Sequence, residues 1–153
     1  MSRENVELAR AMYAELNDTY KRGDDLHRAF ETGDYAEFRD EIERTLHDDV
    51  VLRTPAGSPF PEGGTGEWRG REEFVRFLLS QTEAFEEMYI EPEEFIDAAD
   101  KVVIPLRFGG RARHSGLEVA FPVAHVVTVD QGRIRRLDIY MNRADALEAV
   151  GLG

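Results

Sequence analysis

Two polar side chains in this sequence stand in apolar surroundings where they could do chemistry. His125 lies on one face of a predicted strand whose neighbouring positions on that face are valine or phenylalanine, and Tyr13 lies on the apolar face of the first predicted helix. A tyrosine hydroxyl inside a cavity can donate a hydrogen bond to a carbonyl or to a developing oxyanion, and histidine can exchange a proton near neutral pH. This pair therefore indicates hydrogen-bond or acid–base catalysis on a small molecule.

Each of these residues also has a purely structural interpretation. His125 could be a core histidine that is satisfied by a hydrogen bond to a neighbour, and Tyr13 could be a core tyrosine whose hydroxyl reaches the surface. Burial would keep the imidazole neutral at neutral pH, because desolvation disfavours its charged form. A neutral imidazole has one donor and one acceptor, so we expect His125 to have a side-chain or ligand partner, with Tyr13 as the nearest candidate.

Other polar groupings have mainly structural interpretations. His47, Asp48 and Asp49 lie where the third predicted helix meets the first strand, which favours helix termination over a metal site. The basic segment 107–114 is typical of a solvated hairpin, although it could also attract an anionic substrate. No glycine-rich phosphate loop opens a helix after a strand. We therefore expect neither a metal nor a cofactor.

The composition excludes several classes of function. The chain has 153 residues, of which 42% are hydrophobic, which is enough for one domain over residues 1–153 to bury a core. Its 19 basic and 31 acidic residues give a net charge of -12, which would repel nucleic acids and anionic lipid surfaces. The absence of cysteine excludes disulfides and thiol catalysis, and no apolar run is typical of a membrane span or a signal peptide. We therefore expect a cytoplasmic protein.

The first half of the sequence predicts four helices, because apolar residues recur at three- and four-residue spacing. The second helix ends at Gly33, and Asp34 and Glu37 form a capping-box-like pair before the third. The fourth begins at about Arg71. The apolar face of the first helix consists of Val6, Ala9, Met12, Tyr13 and Leu16. That of the third helix consists of Tyr35, Phe38, Ile42 and Leu46. That of the fourth helix consists of Phe74, Phe77, Leu78 and Phe85.

The remaining elements are predicted strands. A short strand opens at Val50 and is closed by Pro55, and it leads into a loop at 55–66 in which seven of the twelve residues are glycine or proline. Later strands are predicted at 102–108, 117–129 and 133–141, with breaks at 109–110 and a hairpin turn at 130–132. Asn142 is expected to cap a short last helix that stops at Gly151. Helices followed by an antiparallel meander predict an α+β fold.

Alternation along the two longest strands predicts which side chains face inward. The inward set on the first of these strands is Val119, Phe121, Val123, His125, Val127 and Val129. On the return strand Leu137, Ile139 and Met141 should face the core, so Arg136, Asp138 and Tyr140 should face solvent or a partner subunit.

Five short strings, in this order along the chain, carry a resemblance to a known family. They are AMYAEL at 11–16, LHDDV at 46–50, WRGRE at 68–72, DQGRI at 130–134 and NRADAL at 142–147. With them the chain resembles the SnoaL-like, ketosteroid-isomerase-like branch of the nuclear transport factor 2 (NTF2-like) superfamily. The resemblance implies a cone: a bent antiparallel sheet wrapped around N-terminal helices and enclosing an apolar pocket. Family members include isomerases, polyketide cyclases, hydrolases and non-catalytic binding modules.

The resemblance also implies roles for individual residues. Tyr13 matches a tyrosine that donates to the substrate oxygen in ketosteroid isomerases, and His125 falls where a second donor stands. Thr54 occupies the position of the general base, and a threonine hydroxyl cannot act as a carboxylate base near neutral pH. Asp138 is close to the acidic group of polyketide cyclases, but its parity along the strand places it on the outward face, while Ile139 takes the inward position.

Two functions from different classes follow. The first is an isomerase, cyclase or hydrolase that acts on a hydrophobic carbonyl compound through Tyr13 and His125. The second is a non-catalytic module that binds a hydrophobic ligand or mediates dimerisation, which the missing carboxylate at Thr54 favours. Because related folds dimerise through the outer face of the sheet, we also expect a homodimer. The predicted pocket is lined by Leu52, Thr54, Trp68, Phe77, Leu106, Phe121, Val127, Leu137, Ile139 and Met141.

Overall fold

A computed structural model describes residues 2–21, 23–33, 36–54 and 66–152. The described residues form five helices and one sheet of seven strands. The helices are α1 (Ser2–Lys21), α2 (Gly23–Thr32), α3 (Ala36–Thr45), α4 (Gly70–Ala84) and α5 (Arg143–Ala149). The strands are β1 (Leu46–Thr54), β2 (Gly66–Arg69), β3 (Phe85–Pro92), β4 (Ile96–Ala98), β5 (Lys101–Ala112), β6 (Glu118–Asp130) and β7 (Arg133–Tyr140).

The sheet has the strand order β2-β1-β7-β6-β5-β3, with the short β4 paired to β5. The α+β class is confirmed, and the sheet curves around the helices without closing. One pairing departs from the expected antiparallel sheet, because β1 runs parallel to β7. Among the described residues, no helix is long and apolar enough to cross a membrane.

The main core lies between the concave face of the sheet and the helices. Val123, Val127 and Val129 of β6 belong to one buried cluster with Met12 and Tyr13 of α1. Phe121 packs against the same cluster, and Leu137 and Ile139 of β7 join it. The predicted inward set of the two long strands is therefore confirmed at these positions. The apolar side chains of α1 fill the space that the sheet's curvature creates.

The outer face of the sheet is covered in part by α5. Ala146 of this helix packs with Val103, Ala124 and Val126 in a second buried cluster, so the middle of β6 is buried on both faces. The side chain of Asn142 accepts a hydrogen bond from the backbone N–H of Asp145 at 2.8 Å, which confirms the predicted cap. Gly151, with φ of 78°, ends the helix as expected.

Several predicted boundaries are wrong. Leu46 opens β1 instead of ending a helix, and Phe85 opens β3 with extended backbone angles. His47, Asp48 and Asp49 consequently lie inside β1, which begins at Leu46 and not at Val50. Strands β2, β3 and β4 were not predicted, since each is short or rich in glutamate and proline and lacks a clear two-residue alternation.

Some predictions concern residues outside the described part of the chain. The loop at 55–66 is described only at Gly66, which begins β2. Asp34 and Tyr35 lie outside the described residues, and so do the side chains of Glu37 and Phe38. Helix α2 ends at Thr32, and the next residue, Gly33, has a φ of 77°. This agrees with the prediction that the second helix ends at Gly33.

Gly109 and Gly110 lie within β5 and do not interrupt it. Tyr89 of β3 is paired with Gly109, and its ring packs directly over the glycine. A Cβ atom at position 109 would overlap the phenol ring, whereas a Cβ at position 110 would meet its neighbours at 3.4 Å or more. The glycine at 109 is therefore required by close packing of an aromatic side chain against the strand.

We expect Gly109→Ala to lower the free energy of unfolding by about 1–3 kcal/mol, because the added methyl group displaces the Tyr89 ring. Gly110→Ala is the matched control and should be neutral or slightly stabilising, since alanine reduces the entropy of the unfolded chain. Urea unfolding of both variants measures the difference. A Tyr89→Ala background should remove the cost at 109, and an equal cost in that background would contradict the explanation.

Candidate functional site

The two residues singled out from the sequence contact each other in the core. The hydroxyl of Tyr13 and Nδ1 of His125 are 2.7 Å apart, in a buried hydrogen bond that joins α1 to β6. Their rings are tilted by 60°, with centroids 5.8 Å apart. Tyr13 is 2% exposed and His125 is 8% exposed. The prediction that His125 has a side-chain partner, and that this partner is Tyr13, is confirmed.

The position of this pair is fixed by the strands and by polar contacts of α1. His125 lies in the middle of the sheet, opposite Ile104 of β5 and Ile139 of β7. Asn17, one helical turn beyond Tyr13, accepts a hydrogen bond from the backbone N–H of Ile90 at 3.0 Å. This contact sets the position of α1 along β3 and so brings the tyrosine opposite the histidine.

Burial keeps both partners uncharged. Desolvation lowers the pKa of His125 from 6.5 to about 3. The pKa of Tyr13 is raised well above 10, first by burial and then by the negative charge that Tyr20 would carry if ionised. The neutral pair can be arranged in two ways: Tyr13 donates to Nδ1, or Nδ1–H donates to the phenol oxygen and leaves the phenol proton for another acceptor.

A second buried polar pair, which the sequence analysis missed, lies further along α1. The hydroxyl of Tyr20 donates to Oε1 of Gln81 at 2.8 Å and so connects α1 to α4. Burial raises the pKa of Tyr20 above its ordinary value. Tyr20 could have been found from its position in the sequence, because it follows Tyr13 by seven residues, which places both phenols on one helical face.

An apolar cavity of about 80 Å³, which we call the helix cleft, borders Tyr13. It lies between α1, α3, α4 and β7, and its apolar wall includes Met12, Leu16, Ile42, Phe74, Leu78 and Leu137. Tyr13 and Leu137 are the predicted site residues among its described lining. The cleft therefore places a cavity with a mainly apolar lining against Tyr13.

A second depression, the Phe95 groove, reaches Tyr13 from the other side of α1. It has a volume of about 310 Å³ and includes Arg10, whose guanidinium lies 4.7 Å from the centre of the Phe95 ring. The Phe95 ring in turn meets Tyr13 edge to face, at 6.2 Å between centroids. His125 is not in the described lining of either cavity, so access to the pair is through Tyr13.

Most of the predicted pocket residues belong to the packed core. Leu52, Phe77, Leu106, Val127 and Ile139 are buried in the cluster that α1 fills, and Phe121 and Trp68 pack against its edge. Met141 lies beyond the end of β7 and is half-buried. Alternation identified the inward side chains correctly, but it could not show that side chains from the helices occupy the space between them.

Thr54 and Trp68 meet at the end of the sheet where β1 pairs with β2. The threonine hydroxyl accepts a hydrogen bond from the backbone N–H of Gly66 at 2.9 Å. The indole of Trp68 packs against Phe77, with ring centroids 5.5 Å apart, and its buried Nε1 has no hydrogen-bond partner within the part of the chain that the structure describes. Thr54 therefore has a structural contact at the position where the resemblance implies a base.

The other polar groupings are engaged in structural contacts. Asp48 forms an ion pair with Arg71 at 2.7 Å, and Nδ1 of His47 accepts a hydrogen bond from the backbone N–H of Asp49. In the basic segment, Nε of Arg113 donates to the carbonyl oxygen of Thr82 at 2.7 Å. The segment forms the end of β5 and the turn of the β5–β6 hairpin, and Arg107, Arg113 and His114 are exposed, so the hairpin interpretation is confirmed.

Comparisons with known proteins identify a family through one domain model and a fold through solved structures. The model of the SnoaL-like domain matches residues 24–137. No curated protein matches the sequence. The solved structure of TerC with polyporic acid is similar over 95% of this chain and 97% of that one, with 22% identity and a TM-score of 0.64.

Two further solved structures share the fold. An NTF2-like protein from Burkholderia pseudomallei is 24% identical, with 88% of this chain and 97% of that one covered and a TM-score of 0.58. A protein named as a SnoaL-like polyketide cyclase, from Jannaschia, is 17% identical, with 77% and 81% covered and a TM-score of 0.58. At these identities the likeness shows an NTF2-like fold and nothing about activity.

The lowered pKa of His125 predicts a pH dependence of stability. Between about pH 6.5 and pH 3, His125 is protonated in the unfolded chain and neutral in the folded protein. The free energy of unfolding therefore falls as the pH decreases. From about pH 7 to pH 5.5, the wild type should lose about 1 kcal/mol more unfolding free energy than His125→Phe, which lacks the group. Urea unfolding at both pH values checks this.

The exposed His114 provides the matched control for that experiment. His114→Phe should lose as much unfolding free energy as the wild type over the same pH interval. If the wild type and His125→Phe gave parallel curves, His125 would take up its proton as readily in the folded protein as in the unfolded chain, and the lowered pKa would be excluded.

Proposed function

Since this chain belongs to the SnoaL-like domain family, we propose that it binds a hydrophobic small molecule in the helix cleft, beside Tyr13. One observation carries the proposal: Tyr13 lines an apolar cavity, and its buried hydroxyl is hydrogen-bonded to the neutral His125. Binding sites for small molecules are mostly apolar, with a few polar groups that fix the ligand's orientation. The cleft and the Tyr13–His125 pair have this character.

The same pair supports catalysis on a hydrophobic carbonyl compound. When Nδ1–H of His125 donates to the phenol oxygen, the proton of Tyr13 is free for the carbonyl oxygen of a ligand. Such a donor stabilises the negative charge that develops on the oxygen when a proton leaves the adjacent carbon, or when a nucleophile adds to the carbonyl. Isomerase, cyclase and hydrolase reactions all use this stabilisation.

Two observations favour the second candidate, binding without catalysis. Thr54 stands where the resemblance implies a carboxylate base, and its hydroxyl already accepts a backbone hydrogen bond. His125, with its pKa lowered to about 3, is a weak base and removes a proton from carbon poorly. Both candidates share the same ligand site and differ only in turnover.

The related structures are compatible with both candidates. TerC was crystallised with the small molecule polyporic acid, and another similar structure, from Rhodopseudomonas palustris, is named an isomerase. The Jannaschia protein is named a polyketide cyclase. These properties belong to those proteins, and they support the proposal that this fold serves a small-molecule site here.

We also propose that the chain forms a homodimer through the outer face of the sheet. This face holds a groove of about 850 Å³ lined by polar residues of β1, β6 and β7. Within it, the hydroxyl of Thr128 is buried and has no hydrogen-bond partner among the described residues, and Arg136 is half-buried in a 2.8 Å ion pair with Asp138 on the same face. A partner subunit seated on this face would bury the polar groove and add hydrogen bonds and ion pairs to its charged lining.

Acetophenone, a neutral aromatic ketone, tests binding and catalysis together. We expect it to perturb NMR signals of residues around the helix cleft, and we expect its methyl protons to exchange with deuterium faster than in buffer. Tyr13→Phe should weaken binding about three- to tenfold, the value of one hydrogen bond, and should abolish the added exchange. His125→Ala should leave the fold intact and weaken binding in the same way.

Two variants serve as controls for the acetophenone experiment. Ile42→Trp fills the cleft and should abolish binding, while Tyr89→Phe loses a phenol hydroxyl far from the cleft and should have no effect. Binding without exchange would select the non-catalytic candidate. Equal binding by the wild type and Ile42→Trp, or no binding at all, would overturn the proposed site.

The dimer proposal predicts that light scattering at micromolar concentration gives twice the mass of one chain. Arg136→Glu breaks the ion pair with Asp138 and places like charges on the outer face, so this variant should be a monomer. Arg76→Glu, on the exposed surface of α4, makes the same change of charge away from the sheet and should remain a dimer. A monomeric wild type would disprove the dimer.

A further inference from the structure

The Phe95 groove is distinct from the helix cleft, and Tyr13 is the residue that their described linings share. One wall of the groove is α1, and the other is formed by β3 and the residues that follow it. Its apolar lining includes the buried Ile90 and the half-buried Pro92 and Phe95. The groove, of about 310 Å³, therefore has an apolar surface in which part of an aromatic ring is exposed.

Arg10 is the charged residue in the described lining of the groove. Its guanidinium lies 4.7 Å from the centre of the Phe95 ring and makes no ion pair within the described part of the chain. Attraction to the face of the ring positions the cation and leaves its N–H groups available. A guanidinium is planar and can donate two parallel hydrogen bonds to one carboxylate. The groove therefore carries a positioned positive charge beside an apolar surface.

Asn17, two turns beyond Arg10 on α1, also lines the groove. Its Oδ1 already accepts the backbone N–H of Ile90 at 3.0 Å, so its two amide N–H groups are the part of the side chain that remains for a ligand. The hydroxyl of Tyr13 is already bonded to His125. The polar side-chain groups that the groove offers to a ligand are therefore donors, which suit an anion.

The overall charge of the protein makes this local arrangement informative. A net charge of -12 repels anions from the surface in general. A preference of this groove for an anion would therefore have to come from Arg10 and the donors near it, and general surface charge cannot imitate it.

We propose that the Phe95 groove binds an aromatic carboxylate. The ring of the ligand packs against Phe95 and Pro92, and its carboxylate accepts hydrogen bonds from the guanidinium of Arg10. The amide N–H groups of Asn17 add positive potential along the same wall. This site goes beyond the proposed function, because it lies outside the helix cleft and does not depend on a ligand there.

Two probes of similar shape test the assignment: 2-naphthoate and 2-naphthylmethanol, each titrated into the protein and followed by NMR. Both should perturb signals of groove residues such as Ala14 and Ile90. Naphthoate should bind there about two- to fivefold more tightly than the alcohol, which is the effect of one partly exposed ion pair.

Arg10→Gln removes the charge at an exposed helical position that tolerates glutamine, so the fold should be kept. In this variant naphthoate should bind no more tightly than the alcohol. Arg3→Gln is the matched control, because it makes the same change of net charge on α1 outside the groove lining and should preserve the preference. Asn17→Asp keeps the acceptor for the N–H of Ile90 and replaces the free donors by an anionic oxygen, so it should weaken naphthoate and leave the alcohol nearly unchanged.

The outcomes separate this inference from the proposed function. Equal affinity of the wild type for both probes, or a preference for naphthoate that survives Arg10→Gln, would overturn the carboxylate site. Ile42→Trp fills the helix cleft and should leave naphthoate binding unchanged. If Ile42→Trp abolished it, or if naphthoate perturbed only residues of the cleft, the probe would lie in the cleft, and this inference would fail while the proposed site stood.

Discussion

The hydrogen bond between Tyr13 and His125 is the contact on which the relation between α1 and the sheet depends. Both groups are buried, and each needs a polar partner, because an unsatisfied buried donor or acceptor costs about 1–3 kcal/mol. A helix shifted by one turn would leave both side chains without a partner. The pair thus selects one position of α1, and Asn17 and Tyr20 make further polar contacts that agree with that position.

The burial of Tyr13 and His125, which lets the pair select one position of α1, also limits the chemistry that the two side chains can perform. With the pKa of His125 lowered to about 3 and that of Tyr13 raised, neither group carries charge at neutral pH. The pair can donate a hydrogen bond and can stabilise a developing negative charge, but it is poorly suited to removing a proton from carbon. Any strong base would have to come from elsewhere in the site or from the ligand.

The tight packing of α1 also decides where a cavity remains. Side chains of this helix fill the concave face of the sheet, and the remaining space lies to the side, between α1, α3 and α4. There the wall is formed mainly by apolar side chains. The cavity borders Tyr13, whereas His125 lies behind the tyrosine in the core.

The sequence by itself determined the elements whose signals are local. The inward face of β6, the turn at Gln131 and Gly132, the Asn142 cap and the stop at Gly151 could all be predicted, because alternation, positive φ and side-chain capping act within a few residues. The prediction of Tyr13 as the partner of His125 was also correct, although it depended on a family resemblance.

Only the tertiary structure decided the features that join distant parts of the chain. The parallel pairing of β1 with β7 and the unpredicted strands β2, β3 and β4 depend on partners elsewhere in the sheet. Gly109 continues a strand instead of breaking it, because the ring of Tyr89 covers it. The predicted pocket residues became core because α1 occupies the space they face. Periodicity shows which way a side chain points, but what it meets there depends on residues far away in the sequence.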